Sequence, residues 1–422
     1  MRKSILLFLI ITAFFQISLF AQKRDQQLQN LIEKAIEVSP KLKALQNKQL
    51  ASEAMVPQVS NLPDPVLTLG LANLPTNSFS FTQEPMTGKI VGLSQMVPFP
   101  GKLGASGEVR SKDSEIIQQE INDTHNEIRM QVAKNYYDLS FVREAIQLTK
   151  ESKRLLENIA SVVKTKYEVS KASQQNLIQV LAEITRTEDK IKKLENKERT
   201  LVSNINALIL EDSKAEIKTS ELNEIAAKNF TVSYLDSLAR EYRPYLKGVK
   251  LREEQSMLMK DLAEYDFYPN FNLSVQYSQR DEIAKTSTDL NDFVSFMVGI
   301  SLPINYGGKK SAAVEEAELK GKMFADQYEA ARQMLFQKFG SSISTLQELE
   351  EREELIANGL LPQTQHAYNS ALSAYQVNEV DFINVIDAQN KLLQVETEIY
   401  DIRADYYKEL SQLEFLIGTT LN

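Results

Sequence analysis

"VGLSQMVPFPGKL" occupies residues 91–103, and "VGISLPINYGGKK" occupies residues 298–310, 207 positions later. Each starts with apolar residues at alternate positions, the period of a strand with one apolar face, and each ends on a Gly-Lys step. The echo extends well beyond these stretches. "LIEKAIEVSPKLK" faces "LDSLAREYRPYLK" at an offset of 204, Pro63 faces Pro269 at 206, and "YEVSKASQQNLIQV" faces "YQVNEVDFINVIDA" at 208. So constant an offset means that one backbone plan is written twice with few insertions.

Working outward, the strand signal is clearest in the second copy. Phe271, Leu273, Val275 and Tyr277 alternate with Asn272, Ser274, Gln276 and Ser278, and Val294, Phe296, Val298, Ile300 and Leu302 alternate with Ser295, Gly299 and Ser301. Leu67, Leu69, Leu71, Val91 and Leu93 repeat the pattern in the first copy. Strands of about 8 to 11 residues span a bilayer when tilted. Four strands cannot close a barrel, and a lipid-facing sheet edge would leave backbone N–H and C=O groups unpaired, so a membrane reading requires several chains. A soluble sandwich, or a sheet covered by helices, is the alternative that the pattern leaves open.

After each Gly-Lys step the period becomes helical. No proline interrupts Leu103 to Tyr167, and apolar residues recur through Ile117, Ile128, Val132, Leu139, Val142, Leu156, Ile159 and Val163. That stretch predicts a helix of about 95 Å, which has to pack along a partner. In the returning helix Val385, Leu392, Ile399, Tyr406 and Leu413 fall seven apart, and Leu177, Ile184, Ile191, Glu198 and Ile205 occupy the same places 208 residues earlier. A seven-residue repeat keeps one seam against a neighbouring helix.

The expected organisation is therefore a signal peptide at 1–21 and a first repeat at 22–210. That repeat has a helix over roughly 25–55, strands near 65–72 and 89–97, and a hairpin over 103–210. A polar connector at 211–232 leads to a second repeat at 233–422, with a helix over 233–264, strands near 270–279 and 293–303, and a hairpin over 309–418. The fold class is mainly α with a membrane β part, built as a duplicated β-β-α-α unit.

Composition narrows the function. Charged residues make up 25% and apolar residues 43% of 422 residues, the balance of a folded chain. "MRKSILLFLIITAFFQISLFAQ" has the basic start, apolar run and small residue (Ala21) of a secretory signal, with an uncleaved anchor as the alternative. Its removal would shift the formal charge from −9 to −11 through loss of Arg2 and Lys3, which argues against nucleic-acid partners. The sequence has no cysteine, hence no disulfide and no thiolate site. His125 and His366 have no companion ligands nearby in sequence, and "FPGKLG" and "YGGKKS" lack the spacing of a phosphate-binding loop. Gly101, Lys102, Gly308 and Lys309 read instead as strand-to-helix corners, Gly supplying positive φ and Lys an interface charge. No catalytic constellation emerges. The chain reads as a non-enzyme without metal or cofactor.

The order signal, helix, strand pair, long helical hairpin and the same again resembles the TolC family of outer-membrane efflux proteins. "LPDPVLTLGLANLP", "VGLSQMVPFPGKL" with its echo, and "YQVNEVDFINVIDAQNKL" carry the likeness, which covers residues 25 to 420. The resemblance implies a homotrimer in the outer membrane, whose three sets of four strands close a twelve-stranded barrel continued by a helical tube through the periplasm. It also implies partners: outer-membrane lipid, an inner-membrane pump and a periplasmic adaptor. The function implied is passive export of small molecules or metal ions.

By the same resemblance the hairpin turns Tyr167 to Ser173 and Tyr375 to Asp381 would dock the adaptor, through Val169, Ser170, Lys171 and Ala172 and through Val377, Asn378, Glu379 and Val380. The entrance would be held by Tyr375, Asn384 and Asp387. Here Val380 stands where the family has Arg, and Asn384 where it has Asp, so the lock's usual salt bridges lack these two partners, while Asp387 matches the family's second Asp and would leave an acidic ring from three copies. Type I protein secretion through a similar duct, and a periplasmic structural coiled-coil protein, are the other readings the residues allow.

Overall fold

The computed structural model describes residues 25–421. The expected signal segment lies outside the described residues. Helices α1 (Gln26–Val38) and α2 (Pro40–Ser60) lead into strands β1 (Val66–Ala72) and β2 (Gly88–Val97). Helices α3 (Lys102–Glu168) and α4 (Gln174–Ile209) follow. The second copy runs through α5 (Val232–Tyr242), α6 (Pro244–Glu264), β3 (Phe271–Gln279) and β4 (Phe293–Ile300) to α7 (Lys309–Leu355), α8 (Leu361–Gln376) and α9 (Phe382–Ile417). The chain divides into two compact units. Among the described residues, one holds residues 25–43, Asn122–Arg243 and residues 333–421; the other holds Ala44–Ile121 and Pro244–Arg332.

Three differences from the sequence reading trace to proline, while α2 runs on past the expected 55 to Ser60 with Pro57 inside it. The helices expected over 25–55 and 233–264 are each two helices, broken before Pro40 and Pro244. A proline ring excludes the helical region for the residue ahead of it. Accordingly Ser39 (ψ 116°) and Arg243 (ψ 112°) are extended, and each proline opens the next helix, where its missing N–H costs nothing. Strand β4 ends at Ile300, not near 303, because Pro303 cannot donate to the ladder. The outgoing arm of the second hairpin also carries a π turn at Ile356–Leu360 just ahead of Pro362, a wider turn that accommodates the proline ring.

In the strand-bearing unit the sheet order is β1-β2-β3-β4, antiparallel throughout, so the central β2–β3 pairing joins the two copies. At the first strand-to-helix corner Gly101 has φ +93°, and a Cβ there would sit 2.6 Å from the Tyr265 hydroxyl. Lys102 then opens α3 and pairs with Asp266 at 2.6 Å.

The other unit is a helical bundle with a heptad core. Val385, Leu392, Ile399, Tyr406 and Leu413 are all buried on α9, as are Val142, Thr149, Leu156 and Val163 on α3. Thr149 is accommodated because its hydroxyl donates to Ala145 O at 2.6 Å, back along its own helix. Gly418 ends α9 in the left-handed conformation, packed so closely that a Cβ would lie 2.5 Å from Tyr242 O.

Between Ile209 and Val232 the connector forms no regular element, and side chains of the bundle hold its backbone. The Tyr136 hydroxyl accepts from Ser220 N–H at 2.9 Å, Tyr407 donates to Glu224 O at 3.2 Å, and Arg403 reaches Leu222 O at 3.4 Å. Glu353 accepts from Ile225 N–H at 3.2 Å and Glu350 from Lys228 N–H at 3.1 Å. Glu353 and Arg403 themselves form a pair of 2.5 Å with 10% and 12% side-chain exposure. A segment with no ladder of its own thus meets the requirement that backbone groups near a core find partners.

Candidate channel surfaces: the sheet face and the hairpin tips

The strand register decides what the sheet can contact. Leu67 lies opposite Leu93, Leu69 opposite Val91, Leu93 opposite Val275 and Val91 opposite Tyr277. Leu273, Val275 and Tyr277 lie opposite Val298, Phe296 and Val294 in turn. Side chains alternate along each strand, so one face collects these leucines, valines and aromatics, while Thr68, Gly92, Ser94, Asn272, Ser274, Gln276, Ser278 and Ser295 fall on the other together with Val66, Ile90, Met96, Phe293 and Met297. The chain leaves the apolar face uncovered, with Phe296 at 82% relative exposure. Among the described residues, strands β1 and β4 are sheet edges without a partner strand. A uniformly apolar face, an opposite face where hydroxyls and amides are mixed with apolar side chains, and two open edges are what a fragment of a transmembrane barrel presents. No helix among the described residues is long and apolar enough to cross a membrane.

The two hairpin tips in the helical unit repeat each other. Ser170 (φ 58°) and Asn378 (φ 62°) are both left-handed. Lys171 N–H reaches Lys166 O at 2.7 Å, and Glu379 N–H reaches Ala374 O at 2.9 Å, the six-to-one bond that closes a helix C-terminus. Ser173 then caps α4 by accepting from Asn176 N–H at 3.3 Å. Val169, Ser170, Lys171, Val377, Asn378 and Glu379 are exposed; Ala172 and Val380 are half-buried, and Val380 packs on the core beneath.

The residues expected at the entrance separate into two environments. Tyr375 is 5% exposed and packs on Phe382, with ring centroids 5.2 Å apart, in a core that includes Val163, Val180, Tyr368 and Val385. Asn384 and Asp387, one turn apart on α9, are exposed. The sequence reading missed Lys166. Its ammonium donates to Tyr375 O at 2.9 Å, Gln376 O at 3.2 Å and Asn378 Oδ1 at 2.9 Å, and lies 4.4 Å from the centroid of the Tyr375 ring. All three N–H donors are thus used on the last carbonyls and the turn of the other hairpin, where the helix dipole favours a cation. A lone basic residue in the final turn of a long helix was the only sequence signal for this contact.

The fold, with its uncovered sheet face and duplicated tips, is shared with outer-membrane channel proteins of known structure. The model of the outer membrane efflux protein family matches residues 235–419, the second copy of the repeat. The cobalt-zinc-cadmium resistance protein CzcC of Cupriavidus metallidurans is 17% identical over 318 residues, 75% of this chain and 74% of its own length. Among solved structures, the outer membrane protein VceC of Vibrio cholerae superposes with a TM-score of 0.77 at 16% identity, over 94% of this chain and 98% of VceC. The MtrE outer membrane channel of Neisseria gonorrhoeae gives 0.75 at 15% identity, over 94% and 90%. Over its second repeat the chain thus matches the outer membrane efflux protein family, and over 94% of its length it shares the fold of these solved outer-membrane proteins.

Proposed function

We propose that three copies of this chain close a single barrel in the outer membrane and act as the passive export duct of a tripartite system. An inner-membrane pump and a periplasmic adaptor would load it. The observation that carries this reading is the sheet itself: its apolar face needs lipid, and its two open edges need strands that one chain does not possess. The cargo class is small molecules or divalent metal ions, the latter in line with the name of CzcC. The bore does no chemistry, and selection falls to the pump.

Within this reading the exposed tip residues Val169, Ser170, Lys171, Val377, Asn378 and Glu379, with Ala172 and Val380 at their base, receive the adaptor. The resting state is held by Lys166, which ties one hairpin to the other where Val380 leaves no arginine to do so. Tyr375 is the buried floor of that tie. Asn384 and Asp387 face outward from α9 and, brought together from three copies, form the polar ring of the entrance. Gly101 and Gly308, with Lys102 and Lys309, make the corners where strands hand over to helices.

Deletion of the gene should sensitise cells to a subset of divalent metals, dyes, detergents and antibiotics. In planar bilayers the purified protein should form channels whose conductance rises in Lys166→Met. Unaltered sensitivity to every compound, together with an absence of channels from either protein, would contradict the proposal.

A further inference from the structure

Residues 73–87 and 280–292 connect the strands at the end of the sheet that leads into no helix. There Phe293 opens β4 opposite Ser278, on the face where hydroxyls and amides are mixed with apolar side chains. The half-buried Arg280 guanidinium lies 3.6 Å over the Phe293 ring, which sets the cation on that same face. Arg280 also holds both connections. Its Nη1 donates to Pro85 O at 3.1 Å in the first and its Nε to Asn291 O at 2.7 Å in the second, where Nη2 donates as well. Three of the five guanidinium N–H groups are thus used, all on neutral carbonyls. The Asp292 carboxylate turns instead to the Arg280 backbone N–H at 2.9 Å and to the Tyr277 hydroxyl, and Asp281 pairs with Lys89 at 3.2 Å. A guanidinium bonded only to carbonyls and a ring keeps its charge at low cost where water reaches it, so this face borders an aqueous space.

We propose that Arg280, seated on Phe293, is the charge-selecting residue of the duct's outward mouth: three copies set three guanidinium groups around the lumen and raise the passage of anionic over cationic solutes. The inference rests on the trimeric barrel reading, in which the apolar face meets lipid and this face the bore. It adds a charge bias to a duct whose cargo is otherwise chosen by the pump. Three unit charges about 10 Å from a passing ion, screened over about 10 Å at 0.1 M salt, change its local concentration about twofold. At about 1 M salt the effect should vanish.

Reversal potentials in planar bilayers under a potassium chloride gradient test this. Arg280→Gln should raise the cation-to-anion permeability ratio about twofold or more near 0.1 M salt, and Arg280→Lys, which keeps the charge but not the planar fork, should stay near the parent. Glu84, Glu282 and Asp289 are common to all three proteins, so the difference isolates Arg280. Channels with an unchanged ratio in Arg280→Gln would overturn the proposal and leave the barrel standing, whereas no channels from the parent would sink both. A shift shared by Arg280→Lys would mean that Arg280 acts by tying the connections, again overturning the charge role. The chain has no cysteine, so Ser295→Cys, exposed on the same face two residues from Phe293, gives a readout with Arg280 intact. In vesicles a sulfonate-bearing thiosulfonate reagent should modify it faster than an ammonium-bearing one, each relative to its rate with free cysteine. The opposite order would contradict the proposal, and reaction with neither would show that this face does not line the bore.

Discussion

Lys166 shows how a single residue carries a function that its sequence neighbourhood does not announce. Its partners Tyr375, Gln376 and Asn378 lie more than two hundred positions away, and only the packing of two hairpins brings them together. Replacing Lys166 by Met keeps its stem and leaves those carbonyls without their cation, a cost of about 1–3 kcal/mol confined to the tips. Faster amide exchange in Tyr375–Asp381, with the melting temperature of the bundle little changed, is the expected result. Asp387→Ala should raise single-channel conductance or weaken block by divalent cations, since the side chain is exposed on α9. An unaltered current would remove Asp387 from the entrance.

Glu396 gives the bundle a pH dependence: burial, then the nearby Glu151, holds its carboxyl above the usual range. The folded state therefore binds a proton that the unfolded state releases, and stability increases as pH falls from neutral through the raised pKa towards the ordinary glutamate value of 4.5. Asp401, raised by burial and by Asp405, acts in the same sense. Thermal denaturation should shift upward on mild acidification, and Glu396→Gln should be more stable at neutral pH with a flatter profile. A profile as steep as the parent's would show that Glu396 is not a source of the effect.

At the scale of elements, strand faces and helix seams were readable because both follow strict periods. Leu273, Val275 and Tyr277 alternate, and Val385 to Leu413 step by seven, whatever surrounds them. Seam positions filled by Thr149, Ser152 and Gln389 were not readable, because buried polar residues look like surface in a sequence; all three are nevertheless buried. Gln389 donates to Ser152 Oγ at 3.3 Å, a contact between residues 237 positions apart. The breaks at Pro40 and Pro244 were marked in the sequence by proline but masked by the unbroken apolar periodicity on either side.

The connector was illegible for another reason, since its order comes from side chains elsewhere. Removing one such anchor tests this. Glu353→Ala leaves the nearly buried Arg403 with only the exposed Glu224 carboxylate at 3.7 Å and frees Ile225 N–H, a loss of up to about 3 kcal/mol. Hydrogen exchange should accelerate first in residues 219–228. Protection there equal to that of the parent would mean that the strap is held by something other than the Glu353 cluster.

For the molecule as a whole, duplication and the apolar sheet face follow from the sequence, whereas the need for more than one chain follows from the unpaired edges and the number three from the family resemblance. One measurement meets that argument directly: the mass of the purified, detergent-solubilised outer-membrane particle by native mass spectrometry. The account predicts a particle of three chains that loses its sheet signal when dissociated, because β1 and β4 then lack partners. A monomer that stays folded in water without detergent would contradict it.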